Sequence, residues 1–228
     1  MRKRVVLDAY CGQGGCTKGF QDAGFEVVGV DINPQPRYVG DEFIQADAIE
    51  FILKHGDEFD LIHASPPCQV YSETRHLINN PGNHPDLVAP TREALQTTGR
   101  PYVIENVPGA PLINPLMLCG TMFTINPDPD GYQVIRHRLF ETWPVALWPP
   151  APCSHNGKRL PMWWTSRQQK LEAGKKFKYL TVVGKSYLMP EARAAMGIDW
   201  MNRTGMSQAI PPAFTRYIGL EFKKQMDW

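Results

Sequence analysis

The chain has 228 residues, 43% of them hydrophobic, with 24 lysines and arginines against 23 acids, so it can bury one good core and at most a small appended lobe. No apolar run nears the roughly 20 residues that span a bilayer, and Met1-Arg2-Lys3-Arg4 leads into strand-like sequence without an apolar leader region, so a soluble intracellular protein is expected. Cys11, Cys16, Cys68, Cys119 and Cys153 form no C-x-x-C pair and leave one over if paired, which suits thiols in a reducing compartment.

Residues 4–10 read as a buried parallel strand. It runs into the turn Cys11-Gly12-Gln13-Gly14-Gly15 and a helix over 16–23, closed by Gly24. Strand, glycine turn and helix open a Rossmann-type unit, in which glycines let the backbone approach a ligand and the helix N-terminus faces it. The spacing is G-x-G-G and not G-x-G-x-x-G, which argues against a nicotinamide dinucleotide. Residues 25–31 form a second strand ending on Asp31, placed to accept hydrogen bonds from a ribose diol. A short third strand over 43–46 ends at Asp47, which either serves a ligand or N-caps a helix over 48–55.

A fourth strand, residues 59–64, delivers Ser65-Pro66-Pro67-Cys68-Gln69. The two prolines restrict φ, so Cys68 is presented on a stiff turn. A thiol becomes a nucleophile only when its neighbours raise the thiolate fraction, and a buried inert cysteine is the commoner case. Residues 69–85 are rich in turn formers and read as a loop able to close over a substrate. A helix over 90–99 ends at Gly99, and a fifth strand over 100–108 carries Glu105 and Asn106 near its end. The carboxyl ends of parallel strands line one crevice, which would gather Asp31, Asp47, Cys68 and Glu105.

Residues 135–140 alternate charge with bulk as a strand does, which would put Arg136 and Arg138 on one face. Trp148-Pro149-Pro150-Ala151-Pro152-Cys153 reads as a linker. Beyond it the charge is uneven: residues 151–187 hold eight lysines and arginines and the single acid Glu172. Such a segment is either a solvated lysine-rich loop or a phosphate-contacting surface, and Trp163, Trp164, Phe177 and Tyr179 among the charges add stacking on bases to the second reading. Cys153-x-His155 is half of a four-ligand zinc site with no second pair nearby in sequence, so no metal is expected. A helix over 190–196 follows, and Pro211-Pro212 opens a last amphipathic helix over 214–226.

Taken in order, Asp8-Ala9-Tyr10-Cys11-Gly12-Gln13-Gly14-Gly15, Pro66-Pro67-Cys68-Gln69, Glu105-Asn106-Val107, Arg136-x-Arg138, Glu191-Ala192-Arg193, Met196-Gly197-Ile198-Asp199 and Ala209-Ile210-Pro211-Pro212 resemble the motifs of the DNA cytosine-5 methyltransferases. The resemblance implies an α/β, doubly wound, mostly parallel sheet of the Rossmann-like type that uses S-adenosylmethionine. It implies a catalytic and cofactor-binding domain over 1–142, a small target-recognition lobe over 143–180 and a return to the catalytic domain over 181–228. Tyr10, Gly12, Gly14, Asp31, Asp47, Pro66 and Gln208 would line the cofactor, with Asp31 on the ribose and Asp47 on the adenine. Cys68 would be the nucleophile, Glu105 the group on the base, and Arg138 and Arg136 the cations beside it. The implied partner is duplex DNA with a flipped-out cytosine, and a monomer in the cytoplasm of a bacterial cell or phage-infected host is expected. Two positions depart from the family pattern: Val134 stands two places before Arg136 where glutamine is usual, and Ser207-Gln208 replaces Gly-Asn. The lobe is also short, which implies a short, relaxed recognition sequence.

The implied chemistry accounts for the residue types. Thiolate attack at C6 breaks the aromaticity of cytosine and makes C5 nucleophilic. Glu105 supplies a proton or strong hydrogen bond at N3, and an arginine stabilises O2. In duplex DNA the base must first leave the stack. The same chemistry on tRNA, and a cofactor-binding nucleic-acid module without turnover, are the two alternatives.

Overall fold

The computed structural model describes residues 2–71, 85–128, 131–155, 179–184 and 187–228. Most of the stretch that reads as a loop able to close over a substrate (72–84 of 69–85) and most of the basic segment (156–178, with Trp163, Trp164, Lys175, Lys176, Phe177 and Lys178) lie outside the described residues.

The strands are β1 (Val5–Ala9), β2 (Glu26–Asp31), β3 (Glu42–Gln45), β4 (Leu61–Ala64), β5 (Tyr102–Asn106), β6 (Leu116–Leu118), β7 (Gln133–Val134), β8 (Arg138–Trp143) and β9 (Tyr179–Leu180). The helices are α1 (Gly15–Asp22), α2 (Ala48–His55), α3 (Val88–Thr98), α4 (Met189–Met196), α5 (Arg203–Gln208) and α6 (Pro212–Gln225). Among the described residues, seven strands form one sheet in the order β3-β2-β1-β4-β5-β8-β6. The first five pair in parallel, and β8 and β6 add antiparallel at the edge. This is the doubly wound, mostly parallel sheet expected. The chain leaves β1 toward β2 and β3 on one side, and β4 and β5 add on the other, so the strand order reverses between β1 and β4 and opens a crevice at their carboxyl ends.

Period-two alternation assigns each strand residue to one of two cores. Val6, Val27, Leu61 and Val103 face Phe20, Phe214, Ile218 and Phe222. Leu7, Val28, Ile62 and Ile104 face Ile52 and Leu95. Burial on both faces is why these strands read as continuous apolar runs. Helices α1 and α6 meet at Gly19, where a Cβ would overlap Pro212 O and Thr215 Oγ1, and the Thr215 hydroxyl donates to Cys16 O at 2.8 Å. A third, smaller core gathers Val134, Leu180, Val182, Ala192, Ala195, Met196, Ile198 and Met206 around the parallel β7–β9 pair and helices α4 and α5.

Three local readings are corrected. Residues 135–140 are not one strand: β7 and β8 belong to different sheets, and Ile135, Arg136 and His137 form the link between them. The proline-rich stretch is not a free linker, because Tyr217 Oη donates to Trp148 O at 2.5 Å and Gln225 Nε2 to Ala146 O at 2.9 Å, laying it along α6. Nor is Cys153-x-His155 isolated: Cys119 and His137 converge on it from other segments. No helix of the described residues is long and apolar enough to cross a membrane.

Candidate active site

The glycine turn sits at the carboxyl end of β1. Gly14 takes φ 85° ahead of α1 and Gly12 φ 51°, conformations that cost glycine little. A Cβ on Gly12 would meet nothing within 4 Å, so the backbone there is open to a ligand. Tyr10 adopts φ 59°, rare for a side-chain-bearing residue, with its hydroxyl 2.9 Å from Thr91 Oγ1. Asp31 ends β2 and accepts from Gly12 N at 3.1 Å and Asn33 N at 2.9 Å, one bond per carboxylate oxygen, so each oxygen keeps a lone pair. Asp47 is the N-cap of α2: Oδ1 accepts from Ile49 N at 2.9 Å and Glu50 N at 3.0 Å, the second of the two readings its sequence position allowed.

Residues that sequence reasoning missed hold this turn in place. Trp200 Nε1 donates to Gln13 O at 2.8 Å, and Asn202 N donates to Gln13 Oε1 at 3.1 Å. No local signal could have shown this, since the partners are 187 and 189 residues apart. Beneath the turn, the buried Asp8 carboxylate accepts from Thr17 Oγ1 and pairs with His63 Nδ1 at 2.8 Å, tying β1 to α1 and β4. Gln208 is exposed at the end of α5, while the next residues, Ala209 and Ile210, pack where a Cβ on Gly15 would fall.

The proline turn lies one strand away. Asn106, at the end of β5, donates from Nδ2 to Pro66 O at 3.0 Å and accepts from Val107 N at 2.9 Å, so it clamps the turn that carries Cys68. Of the five cysteines, all free, Cys11, Cys16 and Cys119 are buried and Cys68 is half-buried. Burial pushes the Cys68 thiol above its usual pKa, Glu105 pushes it further, and Arg138 and then Arg136 pull it back. The buried Glu105 pairs with Arg138, whose Nε lies 3.0 Å from Oε1. That contact is off the hydrogen-bond direction, so Oε1 makes no hydrogen bond among the described residues and remains an acceptor facing the same cluster.

Arg136 is bound differently from Arg138. It is 4% exposed, and its two terminal nitrogens donate to Val182 O at 2.7 Å and Ser207 O at 2.9 Å. It ties the β7–β8 link to α5 and the small core, two residues before Arg138. Cys68, Glu105, Arg138 and Arg136 thus form one electrostatic cluster, and Tyr10, Gly12, Gly14, Asp31 and Asp47 gather at the neighbouring strand ends.

No family model and no curated relative matches this sequence. Solved structures do. The chain is similar to a protein described as a DNA modification methyltransferase encoded within an E. coli prophage (TM-score 0.63, 14% identity, covering 99% of this chain and 100% of that one). It is similar to a mutant of Spodoptera frugiperda DNMT2 (TM-score 0.64, 12% identity, 96% and 100% covered). A third is the Entamoeba histolytica methyltransferase EhMeth (TM-score 0.58, 14% identity, 99% of both chains). The chain therefore has the fold of these methyltransferases over nearly its whole length.

Proposed function

We propose that this chain is an S-adenosylmethionine-dependent DNA cytosine-5 methyltransferase. The observation that carries the reading is Cys68, held on an Asn106-clamped proline turn, with Glu105 and Arg138 as the leading charges acting on its thiol. The prophage-encoded neighbour of similar fold supports DNA as the substrate.

The residues present fit the cofactor. Open space at Gly12 admits a ligand against the backbone, and the spare lone pairs of Asp31 suit a ribose diol. Gly14 and Tyr10 shape the turn, Pro66 follows Ser65, whose N donates to Ala9 O at 3.2 Å, and Gln208 precedes Ala209 and Ile210, which pack at Gly15. Asp47 Oδ1 is committed to its cap, which leaves Oδ2 for the adenine amino group. When bound, S-adenosylmethionine supplies a methyl group activated on sulfonium.

The protein's own groups do the rest. In the free protein the Glu105 charge helps keep the Cys68 thiol protonated. When a proton taken up from solvent is held between Glu105 and cytosine N3, the Glu105 charge is neutralised, while the pull of Arg138 on the thiolate persists. The nucleophile is thus activated by the base it attacks. The thiol gives up its proton to solvent and the thiolate adds to C6 as the C5–C6 double bond opens, Arg138 stabilises the charge that develops toward O2, and C5 becomes nucleophilic. After methylation a base removes H5 and Cys68 leaves. Arg136 holds Arg138 in register. The span 143–180 is the DNA-contacting lobe, and the chain acts as a monomer.

The test is incubation with methyl-labelled S-adenosylmethionine and either duplex DNA or tRNA, followed by digestion to nucleosides. Label on 5-methyl-deoxycytidine supports the proposal. Label in tRNA alone moves the chemistry to RNA, and label in neither leaves a binding module.

A further inference from the structure

We infer that Cys119, His137, Cys153 and His155 form a structural zinc site. Their ligand atoms lie within 4.8 Å of one another. Cys153 Sγ is 3.1 Å from His155 Nε2 and 3.5 Å from His137 Nε2, and Cys119 Sγ is 3.3 Å from His155 Nε2. A tetrahedral zinc ion with bonds of about 2.3 Å to sulfur and about 2.0–2.1 Å to nitrogen keeps sulfur and nitrogen ligands roughly 3.6 Å apart. The cage needs little movement to close on an ion.

Hydrogen bonding among the four side chains accounts for only part of the arrangement. Thiol-to-imidazole hydrogen bonds from Cys119 to His155 and from Cys153 to His137 would give each thiol an acceptor, but they leave the shorter 3.1 Å approach of Cys153 Sγ to His155 Nε2 without a hydrogen to fill it. A divalent cation at the centre satisfies all four donors at once, with both thiols deprotonated and both imidazoles neutral. An outer contact fits too: Thr121 Oγ1 donates to Cys119 Sγ at 3.4 Å, lies 3.8 Å from Cys153 Sγ, and is itself held by Ser154 N at 3.3 Å. A hydroxyl directed at the sulfurs stabilises thiolates. Two sulfurs and two imidazoles select zinc over magnesium or calcium, and four protein ligands leave no open position for a substrate.

The ligands come from three segments: the end of β6, the β7–β8 link, and the start of the basic stretch. A metal there would staple residues 153–155, at the root of that stretch, to the link that bears Arg136 and Arg138. His137 O already accepts from Arg138 Nη1 at 2.7 Å, so the staple would also steady the arginine that faces Glu105.

The experiment measures metal on the full chain, purified under reductant and dialysed into metal-free buffer. It does not depend on the proposed methyl transfer. Elemental analysis should find about one zinc per chain in the wild type and in Cys68→Ala, and less than about a tenth in the Cys119→Ser, Cys153→Ser double variant. Should the double variant not fold, cobalt reconstitution of the wild type decides: thiolate-to-cobalt charge transfer with intense tetrahedral d–d bands is expected. Zinc retained by a folded double variant would overturn the site. So would a wild type that holds no zinc and gives only the weak spectrum of octahedral cobalt, or whose mass, two hydrogens short, shows a Cys119–Cys153 disulfide under reductant.

Discussion

Arg138 Nε stands 3.0 Å from Glu105 Oε1, and the two charges act on the Cys68 thiol in opposite directions, Glu105 raising its pKa and Arg138 lowering it. A nucleophile set between opposed charges is switched when one of them is neutralised.

Substituting Glu105 therefore separates reactivity from catalysis. In Glu105→Gln the anion is gone, so the Cys68 pKa falls and alkylation by iodoacetamide at fixed pH speeds up. Methyl transfer falls by about 10²–10⁴, the scale of a lost acid–base group. Alkylation of Cys68, followed against pH by mass spectrometry, checks the sign. A slower reaction would mean that Glu105 does not act on the thiol through its charge.

The two acids proposed to meet the cofactor are separable. Loss of the Asp31 carboxylate in Asp31→Asn should weaken binding of S-adenosylhomocysteine about 10–100-fold by calorimetry, the worth of charged hydrogen bonds to a diol. Asp47→Ser keeps an N-cap hydroxyl while removing the carboxylate. Weaker binding in that variant supports contact with adenine. Unchanged binding, alongside a loss of about 1 kcal/mol in Asp47→Ala, marks Asp47 as a cap alone.

Asp60 anchors the start of the strand that leads to Cys68. It accepts from Val5 N at 2.9 Å and Arg4 Nη1 at 2.8 Å and pairs with Arg2. Burial opposes its charge, but these bonds and the two arginines hold its pKa below the usual value. A carboxylate with a depressed folded-state pKa stabilises the fold above its unfolded pKa and loses that contribution as pH falls through the folded value. Asp60→Asn should cost about 1–3 kcal/mol in urea unfolding at pH 7. The gap to wild type should begin to narrow once pH falls below about 4 and close as pH passes the lower folded value.

The basic segment carries its own prediction. Replacing Lys175, Lys176 and Lys178 by glutamine should weaken DNA binding and reduce the slope of log affinity against log salt by about one unit per lost phosphate contact. An unchanged slope would place the phosphate contacts elsewhere.

The parallel core was legible because β1, β2, β4 and β5 are buried on both faces and show as uninterrupted apolar runs. The strand-end positions of Asp31, Cys68 and Glu105 followed from them. The edge was less legible. β6 is three residues long, and the charge alternation around Arg136 and Arg138 looks like a strand although it spans the break between two sheets. Arg136 shows why a motif position does not reveal what a side chain touches: its partners, Val182 and Ser207, are 46 and 71 residues away. The four-ligand cluster was hidden for the same reason. Cys119 and His155 are 36 residues apart, and the tertiary fold brings them together.

The central claim is that Cys68 attacks C6 of a cytosine. DNA carrying 5-fluorocytosine has no H5 to lose, so a reaction that begins by that attack should stall as a covalent complex. With S-adenosylmethionine present, denaturing electrophoresis and peptide mapping should show the DNA attached at Cys68, with the adduct absent in Cys68→Ala. An adduct that persists in Cys68→Ala, or that maps to another residue, would contradict the account.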